Sequence, residues 1–149
     1  MPTVFRITSR RHRPNDPSGA LRTPGRWHDL NQAVLYFSSS LPLAVLELRV
    51  RGITYAEIRS AFHYVSLDLS DTGGIEVVPA IFFSEGWSTS VVESRKLGIR
   101  WYEKREKLCL QVRSAALHTE SNYLVNVNHL DFSTLRFSPP KSIPLDERL

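Results

Sequence analysis

Apolar residues in this chain come in short bursts whose spacing changes along the sequence. Thr3 to Ile7 predicts a short strand, and Ala33 to Phe37 (AVLYF) predicts a buried one, because a brief unbroken apolar run suits a strand covered on both faces. Ser38, Ser39 and Ser40 lead into Leu41 and Pro42, the pattern of a serine cap with proline in the first turn, so a helix should follow and stop at Gly52 after Arg51. Thr54 to Phe62 predicts a second short helix and Tyr64 to Leu69 a strand. Asp71 to Gly74 predicts a turn, and Glu76 to Phe83 an extended segment broken by Pro79. Ser88 to Trp101 is the best amphipathic helix, with Val91, Val92, Gly98 and Trp101 on one face. In Leu108 to Val112, alternation groups Leu108, Leu110 and Val112 and carries Ser114 inward with them. Tyr123 to Val127 and Thr134 to Phe137 predict two further strands. Strands gather late in the chain instead of alternating with helices, which favours an α+β domain with a mixed sheet.

A length of 149 residues fits one domain spanning 1–149, with enough chain to bury a sizeable core. The loop from Thr8 to Gly25 is long for such a domain, and long loops are commonly functional. No apolar run approaches the ~20 residues of a membrane helix. With no apolar leader and a single cysteine, Cys109, the expected compartment is the reducing cytoplasm. Charge is distributed unevenly. The total is +4, yet residues 1–26 carry six arginines (Arg6, Arg10, Arg11, Arg13, Arg22 and Arg26) against one acid, Asp16. Guanidinium forks match phosphate and carboxylate oxygens, so this segment fits either an anionic ligand or a solvated basic loop.

Glycine-rich phosphate loops, a nucleophile elbow and metal-ligand spacings are absent, and Cys109 in an apolar strand reads as core. Four residues stand out instead. Glu47 sits within LPLAVLELRV, where a carboxylate is either an exposed i, i+4 partner of Arg51 or a functional acid. Arg6 interrupts the apolar VFRI, so it faces solvent or meets a buried anion. Tyr36 lies mid-strand, either as core with a satisfied hydroxyl or as a ring offered to a ligand. Arg26 follows Pro24-Gly25 and precedes Trp27.

In one order over nearly the whole chain, these residues form a pattern that resembles the RES domain family, toxins of bacterial Xre–RES toxin–antitoxin pairs. Phe5-Arg6-Ile7, Gly25-Arg26-Trp27 and Leu35-Tyr36-Phe37-Ser38 resemble its opening motifs. Leu43-Ala44 with Glu47, Leu97-Gly98 with Trp101, and Ser114-Ala115 resemble its middle ones. Glu120-Ser121-Asn122-Tyr123-Leu124 with Asn126 and His129, then Leu145-Asp146-Glu147-Arg148-Leu149, resemble its last ones. His28 stands where the family usually has Asn, and Arg113 and Val127 stand where it has Pro; His28 and Arg113 put rate and substrate preference in question more than fold.

The resemblance implies a split, mainly antiparallel sheet with a few helices, similar to the diphtheria-toxin type of ADP-ribosyltransferase. It implies a type II toxin that cleaves the nicotinamide–ribose bond of NAD+ by hydrolysis or phosphorolysis without a metal, or an ADP-ribosyltransferase acting on a cellular protein. Glu47, Arg26 and Tyr36 would serve catalysis, while Arg6, Arg26, Tyr36 and Ser114 would bind NAD+. The implied partner is an Xre-type DNA-binding antitoxin, with no role for membranes or direct nucleic-acid binding. A non-catalytic or nucleic-acid-binding basic domain is the competing class, though no nucleic-acid-binding motif is present.

Overall fold

The computed structural model describes residues 2–69 and 73–149. Seven strands, β1 (Thr3–Ser9), β2 (Val34–Ser38), β3 (Phe62–Asp68), β4 (Ile75–Val77), β5 (Cys109–Arg113), β6 (Ser121–Asn126) and β7 (Lys141–Ser142), form one sheet in the order β4-β5-β6-β2-β1-β3-β7. All pairs are antiparallel except β4 with β5. Four α-helices accompany them: α1 (Ser18–Arg22), α2 (Leu41–Val50), α3 (Tyr55–Ala61) and α4 (Val92–Lys104). This is the α+β architecture expected.

The sheet is split along one seam. β1 pairs with β3 along its whole length, from Thr3↔Asp68 to Ser9↔Phe62. Its pairing with β2 is confined to Phe5↔Ser38. Beyond that rung the two strands part, and their backbone groups need other partners.

Apolar residues cover both faces. One cluster contains Trp27, Val34, Leu110, Val112, Leu124 and the α4 residues Trp101 and Tyr102. The opposite one contains Val4, Leu35, Phe37, Leu67 and Val125, capped by Phe132, Leu135 and Phe137. A third sits under α2 and α3, around Val45, Leu48, Ile58 and Ile143. Complete burial of one large aliphatic or aromatic side chain contributes roughly 1.5–3 kcal/mol, so these clusters hold the two halves of the split sheet together.

Helix α2 begins as its sequence predicts. The Ser40 side chain accepts from Leu43 N at 3.2 Å, proline occupies the first turn, and Gly52 at φ 87° follows the helix end. A reciprocal capping box between Thr54 and Glu57 starts α3.

Four local expectations need correction. The loop from Thr8 to Gly25 contains α1, whose start is set by Ser18 N donating to Asp16 Oδ1 at 2.9 Å. Helix α4 begins at Val92 and not Ser88, because Gly86 at φ 81° opens a tight turn over Trp87–Thr89 in which Ser88 O accepts from Arg26. Its buried residues are Ser94, Gly98, Trp101 and Tyr102, while Val92 is exposed. After Pro79 the chain turns through Ala80–Phe82 and does not continue β4. The strand expected at Thr134 to Phe137 is replaced by a turn over Leu130–Thr134, where Asp131 N donates to His129 Nδ1 and Thr134 Oγ1 to Asp131 O. Such local side-chain bonds compete with strand pairing, and only Phe137 bridges to Leu67. Asp71 and Thr72, in the expected turn, lie outside the described residues; Gly73 and Gly74 have φ of 69° and 71°.

Candidate active site

The seam between β1 and β2 opens into a cavity of about 750 Å³. Arg6, Arg26, Tyr36 and Glu47 all line it, contributed by β1, the loop before β2, β2 and α2. Ser114 does not line it; that residue is wholly buried at the end of β5, one layer behind Glu47.

Arg6 bridges the seam. Its Nη1 donates to Tyr36 O at 3.3 Å, its Nε to Pro14 O at 2.9 Å and its Nη2 to Asp16 O at 3.5 Å. One guanidinium thus replaces a missing strand hydrogen bond and ties down the loop before α1. Five N–H groups less three bonds leave two for a ligand. Burial lowers the Arg6 pKa to about 10, with Asp16 opposing, so the group remains a cation at neutral pH.

Arg26 is held from the opposite wall. Its Nη2 donates to Ser88 O at 3.1 Å and its guanidinium lies 5.5 Å from the Trp87 ring centroid. Its Nη1 is shielded from solvent and has no hydrogen-bond partner. A buried cationic N–H without an acceptor is costly, so the Arg26 side chain, which lines the cavity, has donor capacity that the fold leaves unmet.

Tyr36 and His28 form a linked pair. His28 Nε2 lies 3.0 Å from both Ala20 O and Thr23 O, and these acceptors require that nitrogen to carry the proton. In the neutral ring Nδ1 then accepts from the Tyr36 hydroxyl at 2.7 Å, while Trp27 N donates to the same oxygen at 3.4 Å. The hydroxyl is therefore committed, and burial pushes its pKa up. What Tyr36 can offer the cavity is its ring. Because Tyr36→Phe would leave buried Nδ1 without a donor, the expected result is a loss of about 1–3 kcal/mol, measured by chemical denaturation. An unchanged midpoint would contradict the pairing.

Glu47 lies on the inner side of α2, with Ala44 and Leu48 as neighbours along the cavity wall. It makes no ion pair with Arg51 among the described residues; both its hydrogen bonds fall on Oε1, from Ser114 Oγ at 3.1 Å and Asn122 Nδ2 at 2.7 Å. Burial raises its pKa. The bonds from Asn122 and Ser114 and the Arg51 charge oppose that rise, and Glu120 reinforces it. Oε2 accepts no hydrogen bond among the described residues.

Reading residue by residue singled out neither Asn122 nor the His28–Tyr36 bond. Strand alternation held a signal for Asn122, which shares a face with buried Leu124 and Asn126. The His28 link held none, since it depends on how a loop folds back. Among the described residues no cluster of three or more His, Cys, Asp or Glu could hold a metal ion, and no helix is long and apolar enough to cross a membrane.

Comparison with known proteins converges on the same group. The model of the RES domain matches residues 3–146. Toxin Res of Yersinia enterocolitica is 30% identical over 155 aligned positions, covering 98% of each chain. Toxin Res of Pseudomonas putida is 34% identical over 113, covering 75% of this chain and 77% of that one. The Prs ADP-ribosylating toxin of a Sphingobium species is 26% identical over 136, covering 89% and 84%. Among solved structures, a chain of the M. tuberculosis MbcT–MbcA toxin–antitoxin complex matches with a TM-score of 0.76, 15% identity and coverage of 95% and 84%, a likeness of fold. With the family model spanning the split sheet and every wall of its cavity, the chain belongs to the RES domain family of toxins.

Proposed function

We propose that this toxin breaks the nicotinamide–ribose bond of NAD+. The observation that carries the proposal is one cavity lined by both a carboxylate with an oxygen free of hydrogen bonds among the described residues and the guanidinium groups of Arg6 and Arg26. Nicotinamide in NAD+ leaves as a neutral ring: the glycosidic bond breaks, its electron pair goes to the ring nitrogen, and no proton is required. The barrier lies in the positive charge that develops on the ribose carbon. A fixed anion facing that carbon stabilises it, as carboxylates do in glycoside hydrolysis. Glu47 Oε2 takes this role and can also accept from ribose hydroxyls. The Arg26 and Arg6 guanidinium groups, which both line the cavity, hold the diphosphate, and the Tyr36 ring packs against nicotinamide. Ser114 acts from behind by holding Glu47.

Water as the final acceptor gives ADP-ribose and a proton; a protein side chain as acceptor gives an ADP-ribosylated target. The name of the Sphingobium relative favours transfer as the second reading. An antitoxin of the Xre type is the proposed partner, supported by the complex in which the structural neighbour was solved.

The test is to incubate the purified chain with NAD+ labelled in the adenylate half, with and without cell lysate, while measuring nicotinamide. Release without lysate supports hydrolysis, and label on a lysate protein supports transfer. No release in either arm overturns the proposal. Arg26→Ala should raise KM for NAD+ about 10- to 100-fold, since a hydrogen bond to a charged group contributes ~1.5–3 kcal/mol. An unchanged KM would remove Arg26 from the diphosphate site.

A further inference from the structure

We infer that Asn122 is a positioning residue for Glu47, the group that fixes which carboxylate oxygen faces the cavity. The inference rests on the proposed role of Glu47 and adds how the carboxylate is oriented.

The case is one of hydrogen-bond capacity. Asn122 lies on β6, opposite Ser38 of β2, which is itself opposite Phe5 of β1. It therefore sits in the one row where the split sheet is still joined. Its amide nitrogen has two hydrogens. One meets Glu47 Oε1 at 2.7 Å, and the other is shared between Ser38 Oγ at 3.3 Å and Phe37 O at 3.4 Å. An amide nitrogen donates and never accepts, so Oε1 has to be an acceptor.

Ser114 applies the same constraint from the other side. Its oxygen accepts from Ala116 N and Leu117 N, both at 3.1 Å, leaving its single hydrogen for Glu47 Oε1. Two donors converge on Oε1, and the remaining open lone pairs belong to Oε2. Of the two donors, Asn122 is the shorter and is braced by the central strands. The charged groups acting on Glu47 are Arg51, just past the end of α2, and Glu120, just before β6. Glu120 is itself held by Ser39 Oγ at 3.1 Å and Ser40 Oγ at 2.7 Å. Without the Asn122 donor, desolvation and Glu120 are opposed only by Ser114 and Arg51, so the carboxyl becomes easier to protonate and is oriented by the Ser114 bond alone.

The experiment uses the full chain with Asn122→Leu, and with Asn122→Asp as a variant of matched size. The Glu47 carboxyl is titrated by carbon-13 NMR, its signal assigned with Glu47→Gln, and kcat and KM for NAD+ are measured across pH. In the Leu variant the Glu47 titration and the acid limb of kcat should both move up by about one pH unit, with kcat down tenfold below that limb and KM little changed. In the Asp variant the shift should be larger, because a like charge replaces a donor. Equal Glu47 titration in the parent and both folded variants would overturn the inference. The titration needs no turnover, so a parent that leaves NAD+ intact would defeat the proposed function while this test still stands.

Discussion

Glu47→Gln should give a folded protein that releases nicotinamide from NAD+ at least about a hundredfold more slowly than the parent, the scale on which removing one preorganised electrostatic partner slows an enzyme. The substitution is nearly isosteric and keeps a carbonyl oxygen able to accept from Ser114 Oγ and Asn122 Nδ2. What disappears is the negative charge that the proposed mechanism sets against the ribose carbon. Burial raises the Glu47 pKa, with Asn122, Ser114 and Arg51 only partly opposing it. The proposed mechanism needs the ionised form, so the parent's acid limb should lie above the range of an ordinary glutamate, and the Gln variant should lack that limb. Stability has the opposite sign. With the folded pKa raised, the folded state binds more protons than the unfolded one between the two values. Stability is therefore full below the unfolded pKa and declines as pH rises through the folded pKa. Removing the carboxylate abolishes that decline, and Glu47→Gln should be at least as stable as the parent at neutral pH. Turnover equal to the parent in a variant with an unchanged thermal midpoint would take Glu47 out of the chemistry.

Glu47 was legible because a carboxylate in an apolar helix conflicts with its surroundings, and such conflicts gather at functional sites. Arg6 was legible for the same reason in VFRI, and the inward direction of Ser114 followed from counting alternate residues along β5. The remaining features depend on contacts between segments distant in sequence. Arg6 takes its partners from a loop and from the strand beyond the seam, and neither spacing nor periodicity encodes that gap. The start of α4 was misplaced because amphipathic spacing does not register the turn that precedes the helix, where Ser90 Oγ accepts from Val92 N. In the fold, Ser88 O holds Arg26 and Thr89 Oγ1 donates to Gly86 O. Trp87 packs with Trp27 and Phe83 there, and that aromatic contact outweighs local propensity.

Gly98→Ala should be the most damaging single methyl in the protein. On an exposed helix this change stabilises by up to about 1 kcal/mol. Here a Cβ would overlap the carbonyl oxygen of Trp27 and stand 2.6 Å from its carbonyl carbon. Neither side can yield cheaply. Trp27 N donates to Tyr36 Oη, its ring packs among Phe82, Phe83 and Trp87, and Arg95 Nε on the same helix donates to Gly25 O at 2.9 Å. Separating α4 from this segment would loosen all of these and displace Arg26, which adjoins Trp27. Overpacking of this kind costs about 3 kcal/mol, outweighing the helical gain and lowering Tm by roughly 4–8 °C net in a chain of this size. Below the new Tm, KM for NAD+ should rise because the Arg26 side of the cavity has moved. Gly19→Ala is the internal control: its Cβ would meet nothing within 4 Å, so Tm should hold or rise slightly. If Gly98→Ala instead raised Tm as Gly19→Ala does, the close approach of α4 to Trp27, and with it the seating of Arg26, would be wrong.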